Sequence, residues 1–553
     1  MKPLLLSLMV AATLCGAPSD RDGFVIVPSL KGLVFVSNQQ DIRKGGVICD
    51  GISLVKVPML NRMDFYDELT GYLKKPLTFK DLTEITSKVS AFYKQLNHPL
   101  VDVVAPEQDV TTGVIQIVVN EFRVGEVRVQ GNHWFSEQAV SAPISLHHGD
   151  TIDSELLLNQ MDAVNSSPFR RVDLVYQPSS QPGYTDVILN TQDRFPVTAY
   201  AGFDNSGTAV TGRSRWNLGA TWGNAFWHDQ QLSYQFSASD NLFSGRGVAG
   251  ASFLSNSLNW SIPVRTHDSI SIFGDYQRAV PNIGADFGFI GKSGQASFRY
   301  NLGLHRTTRF MQTLQAGYDF KSTNNNLAFG GTQVSRNTSE IDQFPVAYAA
   351  SLIDKWGSSS LTTQLVFSPG GLSPNNKNTS FQPGFGQSGI FGASAHYFYW
   401  RSDFTRLTKL PAKAVYAFRF LGQTSSANLL YTEKLTAGGP DLLRGYDPNS
   451  VAGDRGIVMI NELRSPAYKP FPERGLGEFQ LYAFWDYGHL QAVQAFAGQV
   501  NSESASSLGT GLRYEMQSNI TAHISYGRAL IQLPSTNAAA RNSFIDLGLT
   551  VAY

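Results

Sequence analysis

Two cysteines, Cys15 and Cys49, are all the thiols in 553 residues, which excludes a disulfide framework. Charge is scarce too: Asp, Glu, Lys and Arg make up 16%, against roughly 25% in an ordinary soluble domain. The 44 basic and 44 acidic residues cancel, so there is no electrostatic footprint for nucleic acid. Past the first residues, no run approaches the ~20 apolar residues that a membrane helix needs. No HExxH motif is present, and the 10 histidines show no metal-ligand spacing. Neither a catalytic constellation nor a cofactor or metal site can be singled out. What is abundant is aromatic side chain, at 12%, which argues against disorder. Mean hydropathy is only −0.15, so uncharged polar residues must fill the gap left by charge. At this length two or more domains are expected, or one large barrel with appendages.

Lys2 precedes an apolar run from Leu4 to Leu14, with the small residues Gly16 and Ala17 after it. That order predicts a secretory signal peptide over residues 1–17. Leu14 is larger than a lipid-attachment site before Cys15 usually accepts. If Cys15 leaves with the signal, Cys49 is alone, and it reads as a small, inert, partly buried residue. An exported chain without membrane helices is periplasmic, secreted, or an outer-membrane β-barrel.

From about Phe24 to Arg194 strand and helix patterns mix. Phe24–Val36 is strand-like. Thr78 suits the cap of a helix in which Leu82, Ile85, Val89, Tyr93 and Leu96 share one face. The turn at Thr112–Gly113 leads into a β-branched strand, Val114–Asn120. A second unit repeats the theme, with a strand at Glu126–Gln130 and a turn at Gly131–Asn132. Its helix runs through Leu156, Leu157, Gln160 and Val164, and strands follow at Val172–Tyr176 and Asp186–Thr191. Sheet edges in small domains of this kind can take up an extended peptide by strand addition.

After Pro196 helical periodicity vanishes and period-two alternation takes over. In Phe479–Gly488 the odd positions are apolar or aromatic, while the even ones carry Gln480, Tyr482, Phe484, Asp486 and Gly488. In the next segment Gly509, Gly511, Arg513 and Glu515 form the polar face. Sixteen such segments can be placed between residues 196 and 553. The connections after the last six odd-numbered segments run to about 10–30 residues, and those after even-numbered ones are mostly a handful. Small uncharged residues on the polar faces, aromatics near segment ends and alternating loop lengths point to an outer-membrane barrel rather than a soluble sandwich. The predicted fold class is therefore α+β periplasmic domains followed by an all-β barrel of 16 antiparallel strands. Even strand number puts both barrel ends on the periplasmic side.

Pro106–Gly113, Val127–Asn132, Asp204–Gly207, Gly438–Tyr446 and Phe484–Gly488 stand out as motifs, and on them the chain resembles the two-partner secretion transporters (TpsB), the haemolysin secretion/activation (ShlB/FhaC/HecB) branch of the Omp85 superfamily. Several separate motifs carry that resemblance. Pro106–Gly113, with Gln108, Asp109 and Gly113, leading to Val118-Val119-Asn120-Glu121, is similar to the end of the family's first POTRA domain. Val127–Asn132 is similar to the start of the second. Asp204–Gly207 with Thr211, Gly212 and Arg215 resembles the first barrel hairpin. Gly438–Tyr446, with Arg444, Gly445 and Tyr446 at its end, resembles the tip of the sixth extracellular loop. The matching inner-wall motif is Phe484-Trp485-Asp486-Tyr487-Gly488.

The resemblance implies POTRA domains over residues 24–121 and 122–195, a barrel over 196–553, and an inward-folding loop over about 425–454. It implies that Arg444 meets Asp486 on the inner wall, where an arginine's fork suits a carboxylate. Glu462 and Arg464 share one strand face and are expected to line the lumen. Tyr553, closing an alternating segment, resembles the C-terminal signal read by the barrel assembly machinery. The implied activity is secretion of an exported exoprotein partner, bound unfolded by the POTRA domains, across outer-membrane lipid, and not an enzymatic one. The runner-up is a barrel insertase of the same superfamily. Family members often carry a plug helix before the first POTRA domain, but strand pattern here begins soon after Ala17. Gly291-Lys292-Ser293 lacks the earlier glycine of a phosphate loop, and Gly386-Gln387-Ser388-Gly389 lacks the second glycine of a nucleophile elbow.

Overall fold

The computed structural model describes residues 23–553 apart from 244–246, 281–286, 305, 308, 330–331, 336–337, 384–388, 471–474, 476, 497–499, 518 and 534–542. The expected signal peptide, Cys15 included, lies outside the described residues, as do Gln387 and Ser388. The chain divides into two compact units. One runs to Gly131 and adds Val140–Val164 and Val172–Thr191; the other comprises Asn132–Ala139, Asn165–Arg171 and Gln192–Tyr553.

The first unit holds a four-stranded sheet, a three-stranded sheet and a two-stranded ribbon of Val25–Val27 with Leu77–Thr78. In the four-stranded one, Gly32–Val36 lies between Gly51–Val55 and Val114–Glu121, parallel to both, and Val101–Val104 takes the far edge. Gly32–Val36 is buried at every position, which explains its continuous apolar reading. Leu33 and Phe35 join one core cluster, Val34 and Val36 another. The strand expected over Phe24–Val36 is in fact two, Val25–Val27 and Gly32–Val36. Pro28, which has no amide hydrogen to donate, sits in the break between them.

The helix Phe79–Gln95 starts at Thr78 in a capping box with Asp81. Ile85, Val89, Phe92 and Tyr93 bury its inner face against Leu33 and Phe35. In the three-stranded sheet, Tyr184–Asp193 lies between Arg123–Gln130 and Arg170–Pro178. The adjoining helix, Ser154–Val164, buries Leu157, Gln160 and Val164 but turns Leu156 to solvent. Cys49 is a free, half-buried thiol.

The second unit is a closed barrel. Its strands are β1 (Val197–Asp204), β2 (Arg215–Ala225), β3 (Gln230–Ser239), β4 (Phe253–Pro263), β5 (Ser269–Ala279), β6 (Phe287–Gly303), β7 (Phe310–Phe329) and β8 (Thr338–Asp354). They continue as β9 (Gly357–Pro369), β10 (His396–Lys409), β11 (Val415–Ser425), β12 (Arg455–Arg464), β13 (Glu478–Gln491), β14 (Ser502–Met516), β15 (Ile520–Ala529) and β16 (Ser543–Ala552). A four-residue strand, Thr332–Ser335, pairs with the end of β7, and β7 pairs directly with β8. Closure is short: β1 meets β16 through Tyr200–Asp204 against Gly548–Ala552. The Asn205 side chain lengthens this seam, donating to the Ile545 carbonyl at 2.7 Å and accepting the Leu547 amide at 2.9 Å.

Outward positions such as Leu218, Leu258, Leu365, Phe398, Leu481, Trp485 and Leu508 are large, apolar and exposed. A belt of this extent fits a hydrocarbon surround and not water. Trp222, Phe226, Trp227 and Trp260 cluster at the short-turn end, where interfacial aromatics belong. The connection expected over residues 324–342 is mostly strand, because β7 and β8 run on beyond the alternating segments. Backbone pairing there does not require an apolar face, so Asn324-Asn325-Asn326 reads as loop while forming sheet. Gly291-Lys292-Ser293 lies inside β6.

Candidate functional site

The segment between β11 and β12 folds into the barrel. Its two limbs pair as a short ribbon, Leu435–Ala437 with Val451–Gly453. Leu435, Leu443, Tyr446 and Val451 from this loop form one apolar cluster with Leu421, Val458, Leu490 and Ala505 from β11–β14. The loop is therefore a packed part of the barrel interior, and its tip carries a buried cation.

That cation is Arg444, 6% exposed. Its backbone amide and Nε donate to Asp486 Oδ2, both at 3.0 Å, and Nη2 donates to Asp486 Oδ1 at 2.9 Å. Nη1 donates to Glu462 Oε2 at 2.5 Å. Asp486 is 0% exposed and Glu462 4%. Alternation along β13 aims Asp486 inward, since Leu481 and Trp485 face out while Tyr482 and Phe484 are buried. The guanidinium centre lies 3.7 Å from the Phe484 ring centroid, a cation–π platform at van der Waals distance. At Gly488, one pleat further on, a Cβ would stand 2.8 Å from Leu443 Cδ1. The Phe-x-Asp-x-Gly pattern thus supplies a platform, an acceptor and clearance on one strand face.

Gly445 and Tyr446 fix the depth of the tip. Gly445 has φ +107°, and a Cβ there would lie 3.0 Å from the carbonyl carbons of Gly527 and Arg528 on β15. Only glycine accepts both that conformation and that approach. The Tyr446 hydroxyl lies 2.8 Å from the Ser506 carbonyl and 2.7 Å from the Ile531 carbonyl, as donor, and accepts the Ser506 amide at 3.1 Å. Arg464 Nε donates to Glu462 Oε1 at 2.7 Å.

Gln108, Asp109 and Gly113 lie elsewhere, in the connection from Val101–Val104 to Val114–Glu121, and there they build a turn. The Gln108 side chain accepts the Gln116 amide and donates to the Gln116 carbonyl, both at 2.7 Å. Asp109 accepts the Thr111 amide at 2.9 Å. Gly113 has φ +81°, with a would-be Cβ 3.0 Å from the Ser29 carbonyl oxygen.

Two features escaped the sequence reading. Arg513, noted only as one member of a polar face, donates to both oxygens of Glu462 at 2.7 and 3.2 Å. At the loop's base, Glu433, 1% exposed, accepts Lys321 of β7 at 2.7 Å and the Tyr399 hydroxyl of β10 at 3.0 Å. Arg401 of β10 donates to the Glu433 carbonyl at 2.8 Å. Glu433 has no local motif; only partners 112 and 34 residues away reveal it.

Comparison with known proteins agrees with this architecture. The haemolysin secretion/activation protein ShlB/FhaC/HecB family matches residues 183–514, and a ShlB-type POTRA domain matches residues 47–121. The outer membrane transporter CdiB of Dickeya dadantii is 25% identical over 453 residues, 78% of this chain and 74% of its own length. The heme/hemopexin transporter protein HuxB of Haemophilus influenzae is 21% identical over 84% of this chain and 80% of its own length. The solved CdiB of Escherichia coli superposes with a TM-score of 0.71 at 17% identity, covering 98% of this chain and 93% of that one. BamA of Haemophilus ducreyi, solved without its first three POTRA domains, shares the fold with a TM-score of 0.55 at 13% identity. With a POTRA domain preceding a closed 16-stranded barrel whose apolar belt faces lipid, and a family match over more than half its length, the chain belongs to the haemolysin secretion/activation family of outer-membrane transporters.

Proposed function

We propose that this protein secretes an exported partner protein across the outer membrane, in the manner of a two-partner secretion transporter. The partner arrives unfolded in the periplasm and adds as an extended strand to a sheet edge of the N-terminal unit. Gly51–Val55 and Val101–Val104 are the edges of one sheet, Arg123–Gln130 and Arg170–Pro178 those of the other. Main-chain hydrogen bonds would supply the affinity and side-chain pockets the specificity. The chain then threads the lumen, and the loop carrying Arg444 withdraws or reorganises to let it pass. The relatives named as transporters support this reading.

One observation carries it: a loop tip docked inside the barrel, with a buried arginine bonded to two wall carboxylates. A permanent plug would not need an anchor whose release frees a whole loop. Arg444→Ala and Asp486→Ala are each expected to cut secretion while the barrel stays in the membrane, checked by fractionation and by assaying the partner outside the cell. Unchanged secretion in both variants sinks the role of the pair. Deleting the gene should leave the partner in the periplasm.

A second reading, an assembly factor for other barrels, is favoured by the short β1–β16 seam, which is narrow enough to part sideways. Normal export together with loss of other outer-membrane barrels on deletion would select it.

A further inference from the structure

The two carboxylates that hold Arg444 are not equivalent. Among the described residues, every hydrogen bond to the Asp486 carboxylate comes from Arg444: one from its backbone and two from its guanidinium. When the loop leaves, Asp486 keeps no donor. Glu462 is different. Arg444 gives it one bond, while Arg464 gives one and Arg513 gives two. Arg464 is on β12 and Arg513 on β14, so both stay on the wall when the loop moves.

A buried carboxylate stripped of its only cation is strongly unfavourable, whereas one that keeps other charged donors is not. Three guanidinium groups on one carboxylate also divide its acceptor capacity, so each bond is weaker than it would be alone. Arg513 lines the cavities on both sides of the tip, of about 350 and 220 Å³, and keeps access to water as the loop shifts.

We infer that Arg513, with Arg464 in support, is a positioning residue that makes the loop releasable, by keeping Glu462 compensated as Arg444 departs. It weakens the loop's hold on the wall rather than strengthening it. Asp486 is the lock, and Glu462 is a seat that the two wall arginines hold ready for either state. The inference rests on the gating reading above, but it carries a sign that reading does not. Loss of Arg513 leaves Glu462 more dependent on Arg444 and holds the loop tighter.

The test is single-channel recording of the purified full-length protein in planar phospholipid bilayers, with folding checked by heat-modifiable gel migration. Arg444→Ala raises the frequency of large openings. Arg513→Ala lowers it about three- to tenfold, the scale of one redistributed charged hydrogen bond. Arg464→Ala lowers it less, having one bond to remove instead of two. Glu462→Gln in the Arg513→Ala background returns openings to at least the wild-type frequency, because the demand for a second cation is gone. A merely structural Arg513 would give the opposite sign, with a looser loop and more openings. Openings of Arg513→Ala at or above the wild-type frequency therefore overturn the inference. Should that variant not fold, Arg464→Ala decides: fewer openings support the inference, and an equal or greater number overturns it. If Arg444→Ala leaves openings unchanged, the loop is not the gate and both readings fall together.

Discussion

The lumen has two walls of different chemistry. Strands β12–β14 carry Glu462, Arg464, Asp486 and Arg513, tied to one another and to the loop. Following the strand register around the barrel to β3 and β4 leads to Ser233, Gln235 and Ser237, opposite Asn259, Ser257 and Ser255. None of those six is charged. One wall holds a specific object in one place. The other offers short hydroxyl and amide groups, which can satisfy a passing backbone without trapping it, since neutral hydrogen bonds contribute about half as much as charged ones. On the proposed function, specific anchoring and non-specific passage would fall on different sides of one barrel.

That division can be broken most severely at Arg444. Arg444→Ala leaves Asp486 and Glu462 facing an emptied site, and breaking a buried pair costs about 3–5 kcal/mol. The largest rise in bilayer openings is expected here, with Asp486→Asn close behind. Next comes the base of the loop. Lys321→Ala strands the buried carboxylate of Glu433, which keeps the Tyr399 hydroxyl as a weaker partner, so a loss of about 2–3 kcal/mol is expected. Faster protease cleavage within residues 425–454 on intact cells would register it, and adding Glu433→Gln should restore part of the protection.

A charge added on the β3–β4 face, beside the Asp275 that β5 already sets opposite Ser257, sharpens the contrast from the other side. Ser257→Asp should leave opening frequency within about twofold of wild type, since it breaks no contact of the classes that cost several kcal/mol. It should shift the reversal potential in a salt gradient toward cation selectivity. The smallest effect lies outside the barrel, at the Thr78–Asp81 capping box. Thr78→Ala should lower the stability of the N-terminal unit by about 1 kcal/mol, read by chemical denaturation.

The same box has a defined pH dependence. Hydrogen bonds from the Thr78 hydroxyl and amide hold the Asp81 carboxyl below its ordinary value of 3.8. Its contribution is therefore present at every pH above that value and is lost as pH falls through the lowered one. Thr78→Ala should consequently cost most at neutral pH and less in strong acid, where only the Asp81 amide donating to the Thr78 hydroxyl at 3.2 Å is left to lose.

The strand framework was legible because each strand has a lipid face that must alternate with the lumen face, and Leu481, Ala483 and Trp485 spell this out locally. The loop tip was legible because Arg444 and Asp486 sit in recognisable motifs. Arg513 was visible as a polar-face residue, but only the pairing of β14 with β13 sets it beside Tyr482 and Glu462. Glu433 and Lys321 carry no pattern at all; a contact across 112 residues is a property of barrel closure, not of sequence spacing. The extension of β7 and β8 was missed because Asn324-Asn325-Asn326 carries no apolar alternation, and the buried Ser339, Ile341 and Asp342 of β8 mix polar and apolar residues and give no period.

The docked tip also bears on how the barrel assembles. Arg444 reaches Glu462 and Asp486 across only 18 and 42 positions, and Tyr446 reaches Ser506 and Ile531 across 60 and 85. Closing the seam at Asn205 spans 340. Short-range contacts form before long-range ones because less chain must be ordered first. The C-terminal third can therefore wrap around its own loop as an autonomous folding nucleus. The remaining strands would then be recruited onto a template that already contains the docked loop.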